Sequence, residues 1–238
     1  EIYLAACRKQ DQEENHQARL LFFTNITHDF KTPLTMILGT IDSMEQDELN
    51  IPEGYMQALK SNSSRLLKLV NEVIDFRIVE KGMMSVKLTR GNLNDLVHSC
   101  ASELREYAIK KEIVFRIITS ASVSDNLLFD YQMVEKIVLN LLDNAVKYTS
   151  AGGRVSMETY SDVRKFETEY AESHTEGKIE EDRHYFGFVV KDTGIGISAN
   201  SITKVFDRFY RVNDEDGEEH LGSGIGLALV RSLVLLHD

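Results

Sequence analysis

Apolar residues recur at helical spacing over the first third of the chain. The first stripe has separations of 4, 4, 3, 4 and 3 positions and consists of Ile26, Phe30, Leu34, Ile37, Ile41 and Met44. A polar stretch at 47–54, which contains Pro52, interrupts this pattern before a second helical stripe begins at Leu59. Two long helices joined by a short loop predict an antiparallel hairpin. Because a lone hairpin leaves its apolar faces exposed, we expect a homodimer in which two hairpins form a four-helix bundle.

The pattern changes after residue 82, where strand-like and helical segments are mixed. Alternating or β-branched runs predict strands at 86–89, 113–118, 155–160 and 185–191. Helical spacing predicts one helix that begins after a capping Asn92 and ends near residue 110, and a second helix at 131–148. Mixed strands and helices indicate an α+β architecture. We therefore predict two domains, a helical hairpin at 1–81 and an α+β domain at 82–238.

Composition and charge exclude several classes of protein. The chain has 238 residues, 42% of them hydrophobic, and a net charge of −11, which suits one or two domains with real cores. The acidic excess lies mainly in two segments, 167–184 and 213–220, which we interpret as solvated loops; it argues against nucleic-acid binding. No apolar run reaches the roughly 18 residues that a membrane-spanning helix needs. Cys7 and Cys100 lack metal-binding spacing and are predicted to be free thiols.

The first stripe carries a histidine on its opposite side. At about 100° per residue, His28 points away from the apolar face, and Thr32 shares its outward side. Imidazole is a good neutral nucleophile near pH 7, and the neighbouring Asp29 could take or hold its Nδ1 proton. This pattern predicts a histidine that reacts with a group outside the helix. The alternative at this point is a merely solvated surface histidine.

A second group of polar residues lies on one face of the predicted helix at 131–148. Asn140, Asn144 and Lys147 are separated by 4 and 3 positions. Two amide oxygens and an ammonium on one face suit Mg²⁺ and phosphates, because protein-bound magnesium keeps few protein ligands beside substrate phosphates. The alternative is an ordinary polar face in contact with solvent.

Two glycine clusters follow later in the chain. Asp192, Gly194 and Gly196 come directly after a predicted strand, where glycines allow the backbone to approach a flat ligand and the carboxylate can accept a hydrogen bond from an amine. The second cluster opens a helix, whose N-terminal amides can bind an anion, and consists of Gly222, Gly224 and Gly226. A dinucleotide-binding Rossmann motif is excluded, since no strand precedes the second cluster.

Taken in order, these windows resemble the motifs of sensor histidine kinases of two-component signalling. Residues 27–34 resemble the H box, 140–148 the N box, 192–196 the G1 box, 206–211 the F box and 222–227 the G2 box. The resemblance covers nearly the whole chain. It implies a dimerisation and phosphotransfer hairpin followed by an ATP-binding α/β two-layer sandwich of the gyrase and Hsp90 type, whose last strands would lie beyond Asp238.

The resemblance also implies roles for particular residues. His28 would be the phosphoacceptor, Asp29 the base beside it, and Thr32 the residue that positions water for dephosphorylation of a partner. Asn144, assisted by Asn140, would bind Mg²⁺. Phosphates would face Lys147 and Arg211, while Asp192 would recognise the adenine amino group and Tyr148 would lie near the base. The remaining ATP-binding positions would be Gly194, Gly196, Gly222, Gly224, Gly226 and Leu227.

Further expectations concern partners and location. The resemblance implies phosphotransfer to an aspartate of a response-regulator receiver domain, in cis or in trans. It also implies that the chain is the cytoplasmic part of an inner-membrane sensor, with membrane contact only through other segments. In its extended form the chain is similar to hybrid sensor kinases of gut Bacteroidetes. Two alternatives remain at this point. One is an ATPase of the gyrase and Hsp90 type without phosphotransfer, and the other is a dimeric phosphatase or nucleotide-binding scaffold without autokinase activity.

Overall fold

The computed structural model describes residues 24, 26–44, 53–162, 173–174, 185–208, 210 and 224–237. They belong to two compact units, the first comprising 1–83 with 207–228 and the second comprising 84–206 with 229–238. The helix predicted for residues 1–23, the loop at 45–52 and most of both acidic segments lie outside the described residues.

The first unit contains two long helices. α1 covers 26–44 and α2 is Glu53–Glu80, so both predicted helices are present over the described residues. Ile26 and Phe76 are buried. Many other apolar side chains on the two helices are exposed, namely Leu34, Met36, Leu38, Ile41, Met56, Leu67, Val70 and Ile74. This density of exposed apolar groups is typical of a surface that a partner covers. None of the described helices is long and apolar enough to cross a membrane.

The second unit combines three-stranded and two-stranded sheets with helices. In chain order its elements are β1 (Thr89–Gly91), α3 (Leu93–Lys110), β2 (Val114–Ile118), β3 (Leu127–Phe129), α4 (Tyr131–Tyr148), β4 (Arg154–Tyr160), β5 (Gly187–Asp192) and α5 (Ala199–Ile202). α6 (Gly226–His237) begins in the first unit and continues into the second. The larger sheet has the order β2–β4–β5, with β2 parallel and β5 antiparallel to β4. β1 pairs antiparallel with β3.

One face of the larger sheet packs against α3 and α4. Val155, Met157 and Thr159 alternate along β4 and are all buried, while the apolar faces of α3 and α4 pack together on that side of the sheet. This two-layer arrangement confirms the predicted α+β class, because one amphipathic sheet face is covered by one layer of helices. Cys100 lies in this core, where burial raises the pKa of its thiol to about 12, so the thiol is unreactive.

Three details of the secondary structure differ from the expectations. The strand predicted at 86–89 forms three residues later, at Thr89–Gly91, because that segment pairs with Phe129 and its neighbours in β3. β3 itself was not predicted, since three residues are too few for a visible alternation. The four-residue helix α5 was not predicted either. The remaining elements agree closely, and α4 has the predicted bounds.

Asp130 connects three parts of the second unit at the beginning of α4. One carboxylate oxygen accepts a hydrogen bond from Met133 N at 3.0 Å and the other from Lys87 N at 2.7 Å. Its own backbone N–H donates to His237 Nε2 at 3.0 Å. Burial raises the pKa of this carboxyl, but the donated hydrogen bonds outweigh burial and bring the pKa below its ordinary value. The negative charge is therefore part of the native fold.

Replacing Asp130 by alanine is expected to lower the free energy of unfolding by about 2–3 kcal/mol at neutral pH, because α4 loses its cap and Lys87 N loses its acceptor. The pKa of Asp130 is lower in the folded state than in the unfolded state. The stability that its carboxylate contributes is therefore complete above the unfolded-state pKa, and it is lost as the pH falls through the folded-state pKa. Urea unfolding at neutral pH and below about pH 4 measures both effects. Asp125→Ala, which removes an exposed hydrogen bond from the Asn92 side chain, is the control; equal stability of the two variants at neutral pH would contradict the prediction.

Candidate functional site

His28 lies on the exposed side of α1, and the adjacent aspartate is buried. The imidazole side chain is 54% exposed, whereas that of Asp29 is 3% exposed, and Nδ1 of His28 lies 3.9 Å from Oδ1 of Asp29. This distance is longer than a hydrogen bond, so the contact is electrostatic until the imidazole rotates towards the carboxylate. The predicted outward direction of His28 is confirmed by its exposure.

The carboxyl group of Asp29 has a fully buried oxygen, Oδ2. Among the described residues, no group donates a hydrogen bond to its buried Oδ2. An unpaired buried carboxylate oxygen is costly and is found where function requires the charge. On the same helix, Thr32 Oγ1 donates to the carbonyl oxygen of His28 at 3.2 Å, which orients the hydroxyl close to the histidine backbone. His28, Asp29 and Thr32 therefore form one local group in the first unit.

In the second unit, α4 presents the predicted row of polar residues. The side-chain nitrogen of Asn140 donates to Lys136 O at 2.8 Å, which leaves the amide oxygen to bind a ligand. Asn144 is half-buried one turn later. Lys147 Nζ lies 3.1 Å from the Tyr148 hydroxyl and 4.7 Å from the centre of its ring. Oxygen acceptors and a cation thus follow each other along the helix.

The C-terminal end of α4 contacts the loop that follows β5. Ile195 N donates to Tyr148 O at 3.2 Å. A Cβ atom at Gly194 would lie 2.4 Å from the same carbonyl oxygen, so only glycine fits between the loop and the helix end. The structure therefore brings the predicted residues of α4 next to those of the first glycine cluster.

Hydrogen bonds fix the carboxylate that was predicted to recognise the ligand. Asp192 is exposed at the end of β5, and its Oδ1 accepts from Gly194 N at 2.8 Å. Thr193 attaches the loop to β4, since its N–H donates to Arg154 O at 3.0 Å and its hydroxyl oxygen accepts from Arg154 N at 2.9 Å. Gly196 has a φ of +73° with open space around it. The second oxygen of Asp192 can thus face a bound molecule.

Not every predicted residue can be placed. Arg211 and Gly222 lie outside the described residues, as does the acidic segment at 213–220 between them. Gly224, at φ +66°, precedes α6, and Gly226 and Leu227 form its first turn; these residues belong to the first unit. Sequence reasoning missed Thr193 and Lys111, whose contacts join segments far apart in the chain. Asp130 could have been found as a capping residue directly before a helical stripe.

The residues of the second unit fit a magnesium nucleotide. Amide oxygens are hard ligands of the kind that Mg²⁺ accepts, and Asn140 and Asn144 supply two on one face of α4. Gly194 lies against Tyr148 O next to the exposed carboxylate of Asp192, and a carboxylate acceptor suits a base that carries an amino group. The donor set and the loop geometry therefore agree with each other.

Two family models match the chain. Residues 18–82 match the His Kinase A phospho-acceptor domain, and residues 129–238 match the ATPase domain described as histidine kinase-, DNA gyrase B- and HSP90-like. The first match contains His28 and α1. The second begins at the end of β3 and contains α4 and both glycine clusters.

Individual proteins give the same result. Histidine kinase P4 of Formosa agariphila is 31% identical over 99% of this chain, which spans 16% of that protein's length. The solved structure of full-length ShkA in complex with AMPPNP is 25% identical to this chain, with a TM-score of 0.59. The match covers 93% of this chain and 41% of the ShkA chain. The structure of histidine kinase AdeS of Acinetobacter baumannii matches with a TM-score of 0.59 over 88% of this chain and 86% of the AdeS chain. Its sequence identity is 17%, so this match shows a similar fold and no more.

A His Kinase A phospho-acceptor domain followed by a histidine kinase-like ATPase domain is the domain arrangement of protein-histidine kinases. These features are those of two-component signal transduction. The chain belongs to the sensor histidine kinase family.

Proposed function

We propose that this chain autophosphorylates His28 from MgATP and passes the phosphoryl group to an aspartate of a response-regulator receiver domain. The observation that carries the proposal is the exposed His28 beside the buried Asp29, whose Oδ2 has no donor among the described residues. A buried carboxyl oxygen without a donor costs stability, so its place beside an exposed histidine favours a functional role for the pair. We further propose that residues 1–81 form the dimerisation and phosphotransfer domain and 82–238 the ATP-binding domain.

In the proposed reaction, Nε2 of His28 attacks the γ-phosphorus of ATP. The N–P bond forms as the bond between the γ-phosphorus and the bridging oxygen breaks, and ADP leaves with that oxygen. Asp29 accepts the Nδ1 proton in a hydrogen bond after a small rotation of the imidazole, which stabilises the positive charge that develops on the ring. Catalysis then depends mainly on positioning and on neutralising the charge of the transferred group.

The proposed ligand-binding roles are those that the resemblance implies. Asp192 would accept a hydrogen bond from the adenine amino group, Tyr148 would lie near the base, and Lys147 would face the phosphates. The exposed carboxylate of Asp192, and the contact between Lys147 and Tyr148, support these roles. Asn144 and Asn140 would hold Mg²⁺, which supplies charge neutralisation on the phosphate oxygens when it is bound. The resemblance assigns nucleotide binding also to Gly194 and Gly196, and to Arg211, Gly222, Gly224, Gly226 and Leu227.

The proposed assembly is a homodimer. Its support is the set of exposed apolar side chains on α1 and α2, which a second copy would cover in a four-helix bundle. The proposed partner, a receiver domain in cis or in trans, would approach the exposed face that carries His28. We also propose that the chain is the cytoplasmic part of a membrane sensor, with other segments in contact with the membrane.

The experiment is labelling of the chain with γ-³²P ATP and Mg²⁺, compared with His28→Ala and with His98→Ala as the matched control at another exposed histidine. We expect an acid-labile, alkali-stable label in the wild type and in His98→Ala, and none in His28→Ala. An unlabelled wild type that binds ATP would refute the autokinase and favour a phosphatase or scaffold. ATP turnover without labelled protein would instead favour an ATPase of the gyrase type.

A further inference from the structure

We propose that Lys111 is a positioning residue of the nucleotide site, which holds the C-terminal turn of α4 against the loop after β5. Its Nζ donates to Val146 O at 3.0 Å and to Lys147 O at 2.6 Å. Both acceptors lie in the last turn of α4, which carries Lys147 and Tyr148. The inference rests on the proposed function in one respect, namely that this turn contacts a nucleotide.

The last four carbonyl groups of a helix have no partner within it. In α4 these belong to residues 145–148, and each has a donor from outside the regular helix. Thr149 Oγ1 donates to Ala145 O at 2.7 Å, and Ile195 N donates to Tyr148 O at 3.2 Å. Lys111 supplies the donors for the two carbonyls between them. One side chain therefore provides half of the cap of this helix.

The usual way to end a helix is not used here. The residue after α4, Thr149, has extended dihedral angles of φ −94° and ψ 129°, whereas the common cap places a glycine in the left-handed region. The carbonyls thus depend on a donor from elsewhere in the chain. A positive charge at this end also interacts favourably with the helix dipole, and a charged donor gives stronger hydrogen bonds than a neutral one.

The backbone of Lys111 is itself well fixed. It follows α3, where Ile113 N donates to Ala108 O and Glu112 N donates to Ile109 O, both at 2.9 Å. This pair of bonds is the Schellman motif, with Glu112 in the left-handed position at φ +57°. Ile113 is buried, and Gly152 N donates to Glu112 O at 3.0 Å. Lys111 therefore extends from a rigid base.

A change at Lys111 would reach the proposed ligand through Tyr148. The carbonyl of Tyr148 accepts from Ile195 and lies against Gly194, so a shift of the last turn of α4 displaces the loop that carries Asp192. We expect the loss of the Lys111 hydrogen bonds to weaken nucleotide binding more than it slows the transfer step. The reason is that these hydrogen bonds order the proposed binding site and do not involve His28. The positioning role therefore predicts a higher KM for ATP with a smaller change in kcat.

The test compares Lys111→Met with Lys110→Met, which removes the same charge from the exposed neighbouring position. We expect Lys111→Met to raise the KM for ATP and the Kd for AMPPNP by about tenfold, equivalent to about 1.4 kcal/mol. Lys111→Arg, which keeps a charged donor, should recover most of the affinity. Lys110→Met should stay within about twofold of the wild type. A Lys111→Met protein that melts earlier but keeps the wild-type KM and Kd would overturn the proposal.

Amide hydrogen exchange provides a readout that does not depend on activity. The N–H of Ile195 should exchange faster in Lys111→Met than in the wild type, whereas that of Leu142, in the middle of α4, should not change. If Lys111→Met does not fold, Lys111→Arg still tests the proposal, because it keeps a charged donor and should retain most of the nucleotide affinity. If the wild type binds no nucleotide, the proposed function fails; unchanged exchange at Ile195 would instead refute the role of Lys111.

Discussion

Replacing Gly194 by alanine is expected to weaken nucleotide binding by about 30-fold or more. The new Cβ would lie 2.4 Å from Tyr148 O and 2.9 Å from Tyr148 C, a backbone clash that no rotamer change can relieve. Overpacking of this kind costs about 1–3 kcal/mol, and here the loop can escape it only by leaving α4. The hydrogen bond from Ile195 N and the position of Asp192 would be lost together. Titration with AMPPNP measures the effect.

The control for this experiment is Gly152→Ala. Gly152 has a φ of +78°, so alanine is strained there, but no atom lies within 4 Å of the new Cβ. We expect Gly152→Ala to cost about 1–2 kcal/mol of stability and to leave nucleotide affinity within about twofold of the wild type. Equal affinity in Gly194→Ala and the wild type would show that the loop does not form the nucleotide site.

Replacing Asp29 by asparagine is expected to slow autophosphorylation by about 100-fold without lowering stability. The rate falls because the amide cannot take up the Nδ1 proton of His28 or stabilise a positive imidazole. Stability is expected to be unchanged or to rise by up to about 1–2 kcal/mol, because a buried carboxyl group whose Oδ2 has no donor within the described part of the chain is replaced by a neutral amide. Initial labelling rates at saturating ATP and urea unfolding measure the two quantities.

Asp42→Asn serves as the matched control, since Asp42 lies on the same helix and is exposed. It should change neither the labelling rate nor the stability appreciably. Wild-type labelling by Asp29→Asn would exclude the carboxylate from the transfer step. A large loss of stability in that variant would show that the buried charge has a partner that supports the fold. Opposite effects on activity and stability are typical of residues retained for function.

The local features of the chain were predictable from its sequence. Helical spacing predicted α4 with its observed bounds, and Asn92 was identified as the residue that caps α3. The outward position of His28 followed from counting residues around a helix. These predictions succeeded because hydrogen bonds within a helix and the burial of one face act over a few residues. β1 was placed three residues too early because its position depends on pairing with β3, which is distant in sequence.

The helices, the fold class and the types of residue that can carry phosphoryl transfer thus followed from local sequence, since each depends on short-range spacing and chemistry. The contact between the end of α4 and the loop after β5 is a tertiary feature, and so is the cap that Lys111 completes on that helix. Tertiary packing also buries Asp29 beside an exposed histidine and leaves its Oδ2 without a donor among the described residues. Such contacts depend on packing between distant segments, and no local pattern encodes which donor reaches which carbonyl.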